Sequence, residues 1–186
     1  MKELKSYTPF KHPEFFQDLR KDIDEALLRH VGQERRLVGE HAPQAMILVT
    51  TKREAEDTAE ALGEDATFIV STKEGDANLK LFHSNQKKIA VVFGMLREGY
   101  DNACVTLVVF LRNVKSRVLF EQFCGRCIRM NRKLQISLRS VIGADQATGT
   151  VLTYNCYPHL KELWNEREKP VADDDPIDEV ENNHDK

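Results

Sequence analysis

An open α/β sandwich, in which a mainly parallel central sheet lies between layers of helices, is the fold class that the sequence predicts. Three observations predict it. Short continuous apolar runs recur along the chain, segments with helical periodicity stand between them, and polar or glycine-containing turns separate the two kinds. An apolar run without alternation marks a strand buried on both faces, the condition of a strand in a parallel sheet covered by helices. Right-handed crossovers then set the strands side by side, and ligands are expected along the carboxyl edge of the sheet.

The first element is a helix over residues 13–30. Phe16, Leu19, Ile23, Ala26, Leu27 and His30 fall there at three- and four-residue steps, an apolar stripe that must pack on something. A polar loop over 32–44 leads to the run at 45–49, which reads as a strand in the middle of the sheet. Thr50 and Thr51 end it, and Thr51 is placed to cap a helix over 52–62 that is rich in Ala and Glu and stops at Gly63. The same grammar gives a strand at 67–70, a helix at 76–83, and strands at 88–93 and 105–111, the last dense in β-branched and aromatic residues. A helix over 116–130, a strand over 149–154 and a helix over 158–168 complete the pattern, and no internal repeat is present.

With 186 residues, 41% of them hydrophobic, the chain suffices for one domain with a substantial core plus tails. We divide it into an N-terminal helix and loop (1–43), an α/β lobe (44–169) and an acidic tail (170–186). The tail has two prolines, few apolar residues and a block of aspartates, the composition of a disordered segment. The same charge would also suit an electrostatic mimic that folds over a basic face and competes with nucleic acid. No apolar run approaches the roughly 18–20 residues that span a bilayer. Residues 1–10 lack the apolar centre of a secretory signal, so an intracellular protein, cytoplasmic or nuclear, with no membrane partner is expected. The four cysteines are too sparse for a disulfide scaffold. Cys124 and Cys127 form a C-x-x-C, but zinc wants a second pair, so no metal is expected and both read as partly buried thiols of a helix.

A formal charge of −3 conceals a polarised chain. Residues 166–186 carry nine acids against three bases, whereas residues 111–139 carry eight bases and one acid, Glu121. A one-sign cluster of that size calls for phosphate, from a nucleotide or from a nucleic-acid backbone. Within it, Gln122, Gly125, Arg126 and Arg129 share one flank of the expected helix, because residues three and four apart are neighbours there. Two guanidinium groups and an amide then converge. A guanidinium stays charged and forks onto phosphate oxygens, which suits it to stabilise charge building on a γ-phosphoryl group as it leaves. Gly125 permits close approach of backbone or ligand. A surface helix with incidental arginines is the plain alternative.

The segment Gln122-x-x-Gly125-Arg126-x-x-Arg129 resembles motif VI of superfamily 2 helicases. Residues 89–101, a buried strand running into a loop that closes with Gly99-Tyr100-Asp101, resemble motif V. Residues 45–51 with their following helix are similar to motif IV. The three stand in the family's order over about residues 44–156. The resemblance implies a RecA-like three-layer sandwich, the C-terminal lobe of a DEAD/DEAH-type helicase, and 95–101 and 116–122 resemble segments of the motor subunits of type I and III restriction enzymes. It further implies that Arg126 and Arg129 are arginine fingers reaching ATP held on the other lobe, and that Gln122 senses the γ-phosphate or its attacking water. Gly125, Gly99 and Asp101 join them on the ATP side. Thr50 and Thr51 would meet the sugar-phosphate backbone, and Arg112 and Lys115 of the basic cluster are assigned to the same track. Many relatives have Thr-Asp ahead of the motif V loop where this chain has Phe93-Gly94, so a hydrogen bond from that threonine is not carried over.

ATP and Mg2+ are the implied cofactors, both held mainly by an N-terminal lobe that this sequence lacks. It contains no G-x-x-x-x-G-K-[ST] and no Asp-Glu-x-His or Asp-Glu-x-Asp. Arginine fingers act on a transition state that another surface has assembled, so the chain by itself should neither hydrolyse ATP nor unwind a duplex. The expected partners are an N-terminal helicase lobe, in cis or in trans, and nucleic acid, with a slight lean to DNA over RNA. The alternative is a non-catalytic nucleic-acid- or protein-binding module that keeps the fold. A Rossmann-type enzyme would need a Gly-x-Gly-x-x-Gly loop that is absent. His41, His83 and His159 stand apart from one another and from acids and read as surface or capping residues. Trp164, at helical spacing from Leu160, reads as packing rather than as a base-stacking platform.

Overall fold

The computed structural model describes residues 13–34, 42–94, 102, 104–128, 149–154 and 157–167. Within them the elements follow the expected order: α1 (Pro13–Glu34), β1 (Gln44–Leu48), α2 (Lys52–Leu62), β2 (Ala66–Ile69), α3 (Lys73–His83), β3 (Ile89–Val92), β4 (Val105–Phe110), α4 (Arg117–Ile128), β5 (Thr150–Thr153) and α5 (Pro158–Arg167). The five strands form one sheet in the order β2-β3-β1-β4-β5, and every neighbouring pair is parallel. β1, β3 and β4 are buried at every residue, as their unbroken apolar runs require.

Capping decides where two helices begin. Thr51 caps α2 through a reciprocal box: its Oγ1 accepts from Glu54 N at 3.1 Å, and the Glu54 carboxylate accepts from Thr50 N at 2.8 Å and Thr51 N at 3.1 Å. α3 starts at Lys73 rather than 76, because Thr72 supplies a cap to Gly75 N at 3.1 Å. Gly75 is also where the first turn of α3 closes on the end of β2. A methyl there would stand 1.9 Å from the Val70 carbonyl oxygen, so no other residue fits without backbone movement.

α1 and α2 cover one face of the sheet. Phe15, Leu19, Ile23, Ala55, Ala59 and Leu62 pack there with Ala45, Ile47, Val91, Leu107 and Val109. α3, α4 and α5 cover the other, where Phe82, Phe120, Phe123, Cys124 and Leu160 pack with Met46, Leu48, Ala90, Val108 and Phe110. Successive strand residues feed opposite cores, so all three layers depend on the same strands. The chain travels toward β2 along the first face and toward β5 along the second, as crossovers of one hand demand when the direction reverses.

α1 shares one core with the sheet and is also pinned electrostatically. Arg20 forks onto Asp65 at 2.6 and 2.9 Å and donates to the Leu62 carbonyl at 2.7 Å and to Asp24 at 2.8 Å. The hydrogen bonds that it donates to Asp65 and then to Asp24 raise the guanidinium pKa above its ordinary value. Burial pushes the Asp65 carboxyl up, but its hydrogen bond and charge interaction with Arg20 outweigh burial and leave it below the usual carboxylate range.

Candidate functional site

Because all strands are parallel, their carboxyl ends share one rim, and the residues that follow each strand collect there. Thr50 and Thr51 follow β1, Phe93 and Gly94 follow β3, and Arg112 and Lys115 follow β4. Backbone hydrogen bonds from Val49 N to Val92 O (3.2 Å), Leu111 N to Leu48 O (2.9 Å) and Phe93 N to Ile69 O (3.3 Å) stitch the rim together. β1 departs to one face through α2 and its neighbour β4 to the other through α4, so the topological switch point lies between them. Thr50 and Thr51 stand on one side of that crevice, Arg112 and Lys115 on the other. Lys115 is exposed and Arg112 half-buried, and the Arg112 Nε is buried with no hydrogen-bond acceptor among the described residues. An unmatched guanidinium N–H is a donor waiting for an anion.

The threonines offer less than their position suggests. Both peptide N–H groups already donate to Glu54, and the Thr51 hydroxyl oxygen is the helix cap. The N-terminus of α2, the kind of place where a phosphate binds, is therefore filled by the helix's own acid. What remains to a ligand is the donor capacity of two exposed hydroxyls.

α4 starts at the carboxyl rim and runs back along the second face toward the amino edge. Its end abuts Gly149, the residue ahead of β5, where a methyl would stand 2.4 Å from the Cys127 carbonyl oxygen. The inner side of α4 is core: Phe120 stacks on Phe110 at 5.3 Å and Phe123 meets it edge-on at 5.0 Å. The outer flank carries Val118, 65% exposed, then exposed Gln122, then Gly125 and Arg126. Among the described residues no atom beyond its own helical turn lies within 4 Å of where a Gly125 Cβ would stand, so they leave the space outside that turn open. Arg126 is only 8% exposed. The sequence sets it on an accessible flank; the folded chain draws it in. Arg129, Gly99 and Asp101 lie outside the described residues.

The sequence itself gives the same assignment when set against family models: residues 25–131 match the helicase conserved C-terminal domain. The chain belongs to that family. Its fold is the RecA-like α/β fold of helicase C-terminal lobes. It is similar to S. cerevisiae Dbp5 bound to RNA and ADP BeF3, with 17% identity and a TM-score of 0.52 over 69% of this chain and 33% of that one. It is similar also to the E. coli DEAD-box protein SrmB bound to regulator of ribonuclease activity A, with 15% identity and a TM-score of 0.50 over 72% and 75% of the two chains. The Pyrococcus furiosus Hef helicase domain shares 20% identity and a TM-score of 0.50 over 82% of this chain and 28% of that one. The helicase domain thus spans about a third of the Dbp5 and Hef chains. No curated protein sequence matches it.

Other features of this helicase domain fall outside the motifs. Cys124 and Cys127 are both buried, and the Cys127 thiol donates to the Cys124 carbonyl at 3.1 Å. Among the described residues no group of three His, Cys, Asp or Glu could hold a metal ion. His159 is not isolated from acids: its Nδ1 lies 3.1 Å from Glu162, one helical turn on. Trp164 is half-buried and meets Phe120 edge-on at 6.4 Å, as packing. No described helix is long and apolar enough to cross a membrane.

Sequence reasoning missed Gln44. It opens an otherwise apolar strand, is 1% exposed, and gathers hydrogen bonds from three segments. The available signal was a polar residue directly ahead of a central apolar run.

Proposed function

We propose that this domain is the second motor lobe of an ATP-dependent nucleic-acid helicase or translocase, with its two sheet edges serving two ligands. The outer flank of α4, with Gln122, Gly125 and Arg126 and the following Arg129, faces ATP held by an N-terminal lobe, joined there by Gly99 and Asp101 of motif V. The carboxyl rim, with Thr50, Thr51, Arg112 and Lys115, follows the nucleic-acid backbone. Gly125 carries the proposal. A glycine inside a helix is less stable than alanine by about 0.8–1 kcal/mol. Here, among the described residues, nothing beyond its own helical turn occupies the space that its missing side chain leaves. The described part of the fold gives no reason for a glycine at that turn; the approach of another body would.

The open face at Gly125 fits a nucleotide, and ATP with its Mg2+ would supply the phosphoryl group and the positive charge beside it. The phosphates and the metal are held on the facing lobe, since this chain has no phosphate-binding loop. The guanidinium of Arg126 must leave its present buried position to touch a phosphoryl oxygen, so closure of the lobes and release of Arg126 are one step. Alone the chain turns over no ATP. The lean toward DNA rests on the restriction-motor-like segments 95–101 and 116–122; the Dbp5 relative is bound to RNA, so both nucleic acids belong in the assay.

The test joins or mixes this chain with a lobe that carries the phosphate-binding loop and measures ATP hydrolysis with single-stranded RNA and DNA. Stimulated turnover is expected, falling by about a thousandfold or more in Arg126→Lys and Arg129→Ala, the scale of a lost arginine finger. Arg126→Lys keeps the charge and loses the fork, which spares the fold. Undiminished turnover in both variants overturns the proposal.

The Arg112 Nε, without an acceptor among the described residues, also favours a second reading, a binding module that uses the rim without catalysis. Salt-sensitive binding by the chain alone, together with no ATPase gained from any added lobe, would select it.

A further inference from the structure

The two lateral edges of the sheet are finished differently. β2 lies at one of them with three of its four residues buried, and its Phe68 carbonyl accepts from Asn78 Nδ2 of α3 at 2.9 Å. A side chain thus occupies a position where another strand would pair. β5 lies at the other edge, and among the five strands it alone has no buried residue.

The ladder fixes which peptide groups of β5 face outward. Leu111 N bonds to Leu48 O, so alternate residues of β4 counted back from 111 face β1, and Val108 between them faces β5. Val108 is in register with Val151. Thr150 and Leu152 therefore bond to β4, while Val151 and Thr153 present N–H and C=O to the outside. Among the described residues nothing bonds to those outward groups. A groove of about 490 Å³ lies along them, walled on one face by Asp22, Glu25 and Arg29 of α1 and on the other by Leu160, Lys161 and Trp164 of α5. Arg29 is exposed; it donates to the Glu25 carbonyl at 3.3 Å and makes no ion pair among the described residues. The α1 wall thus reads acid, acid, base over about 10 Å, at ~1.5 Å per residue. That is close to the length of β5, about 13 Å for four residues.

A row of that order complements itself when reversed. We propose that the β5 edge pairs with the β5 edge of a second copy of this chain, antiparallel across a two-fold axis at Leu152, so that five strands from each copy form one continuous sheet. Val151 then stands opposite Thr153 of the other copy, and each opposed pair exchanges both its hydrogen bonds. The axis keeps both α1 walls on the same face and runs them in opposite directions. Arg29 of each copy is thereby brought to the Asp22 end of the other. Glu25 falls nearest the axis, where Lys21 at 4.0 Å already balances it. An unrelated extended peptide could use the same peptide groups, but nothing would match it to the charge order along α1.

The test is sedimentation equilibrium of the whole chain. A weak dimer is expected, its fraction rising between about 10 µM and about 1 mM. Asp22→Arg and Arg29→Asp each set like charges opposite one another at both ends of the contact, and each should weaken self-association by at least about tenfold. Mixed in equal parts, the two variants have opposite charges at both ends and should associate as the unaltered chain does. Amide exchange at Val151 and Thr153 should slow as the dimer fills, with β2 unchanged. A chain that stays monomeric at about 1 mM overturns the proposal. A dimer indifferent to both charge changes, or one that the mixture does not restore, also overturns it, since the contact then lies elsewhere. Protection of the Val151 and Thr153 amides at every concentration does the same, because a segment of the same chain then covers the edge.

Discussion

Gly125→Ala puts a single methyl on the outer flank of α4, and folding and function should answer it with opposite signs. The backbone at 125 is not in the left-handed region, which among the described glycines only Gly63 and Gly94 occupy. Beyond its own helical turn the new Cβ would meet no atom of the described residues within 4 Å. No strain therefore opposes the gain in helix propensity, about 0.8–1 kcal/mol. In a domain of this size 1 kcal/mol moves the thermal midpoint by about 2–4 °C. The chain alone should thus melt a few degrees higher by circular dichroism, and its urea midpoint should rise with an unchanged slope. In the two-lobe motor the same methyl occupies the gap into which nucleotide or facing lobe comes. Turnover should fall by at least about tenfold, since a 1 Å misplacement at a reacting centre costs on the order of a hundredfold. A lower midpoint in the isolated chain would refute the open flank. A higher midpoint with undiminished turnover would refute Gly125 as a point of contact.

The glycine at the start of α3 behaves oppositely: Gly75→Ala forces Cβ onto the Val70 carbonyl and should destabilise the chain by about 2–3 kcal/mol in urea unfolding, where a neutral result would remove the close approach. Thr51→Ala should cost about 1 kcal/mol and Thr51→Ser much less, because serine keeps the oxygen that caps Glu54 N; equal losses would show that the methyl rather than the cap matters. Asp65 has its folded-state pKa depressed by Arg20, so the stability it contributes is present above its unfolded value, near 4, and is lost as pH falls through the lower folded value. Asp65→Asn should remove that part of the acid dependence and lower stability at neutral pH, which acid titration followed by fluorescence would register. On the rim, Arg112→Gln and Lys115→Gln should each reduce the slope of log affinity against log salt by about 0.7–0.9 for every phosphate the side chain neutralises, and an unchanged slope would take that residue off the track.

The elements most legible from sequence were those set by local physics. The run at 45–49 and the β-branched stretch at 105–111 could only be strands buried on both faces, and both stand in the centre of the sheet. Thr51 was recognisable as a cap because its hydroxyl and Glu54 lie within one turn. Thr72 does the same for α3 and went unrecognised, since its turn passes through Gly75, whose role is visible only once Val70 is seen pressed against it. Helical spacing also groups Gln122, Gly125 and Arg126 on one side of α4, but it does not say how deeply each side chain is buried.

The sequence by itself determined the element order and the parallel sheet, which follow from periodicity, and the family, which its match to the helicase C-terminal domain over residues 25–131 carries. Only the tertiary structure decided that Arg126 is drawn in, that Glu54 already fills the end of α2, and that Gln44 grips Asn102 across 58 positions. Strand order and helix direction set the described rim residues Thr50, Thr51, Arg112 and Lys115 and the end of α4 at opposite edges of the sheet, and neither is written in local spacing. The physical reason is one of range: propensity and capping act within a turn, whereas burial and long-range hydrogen bonding exist only after distant segments have met.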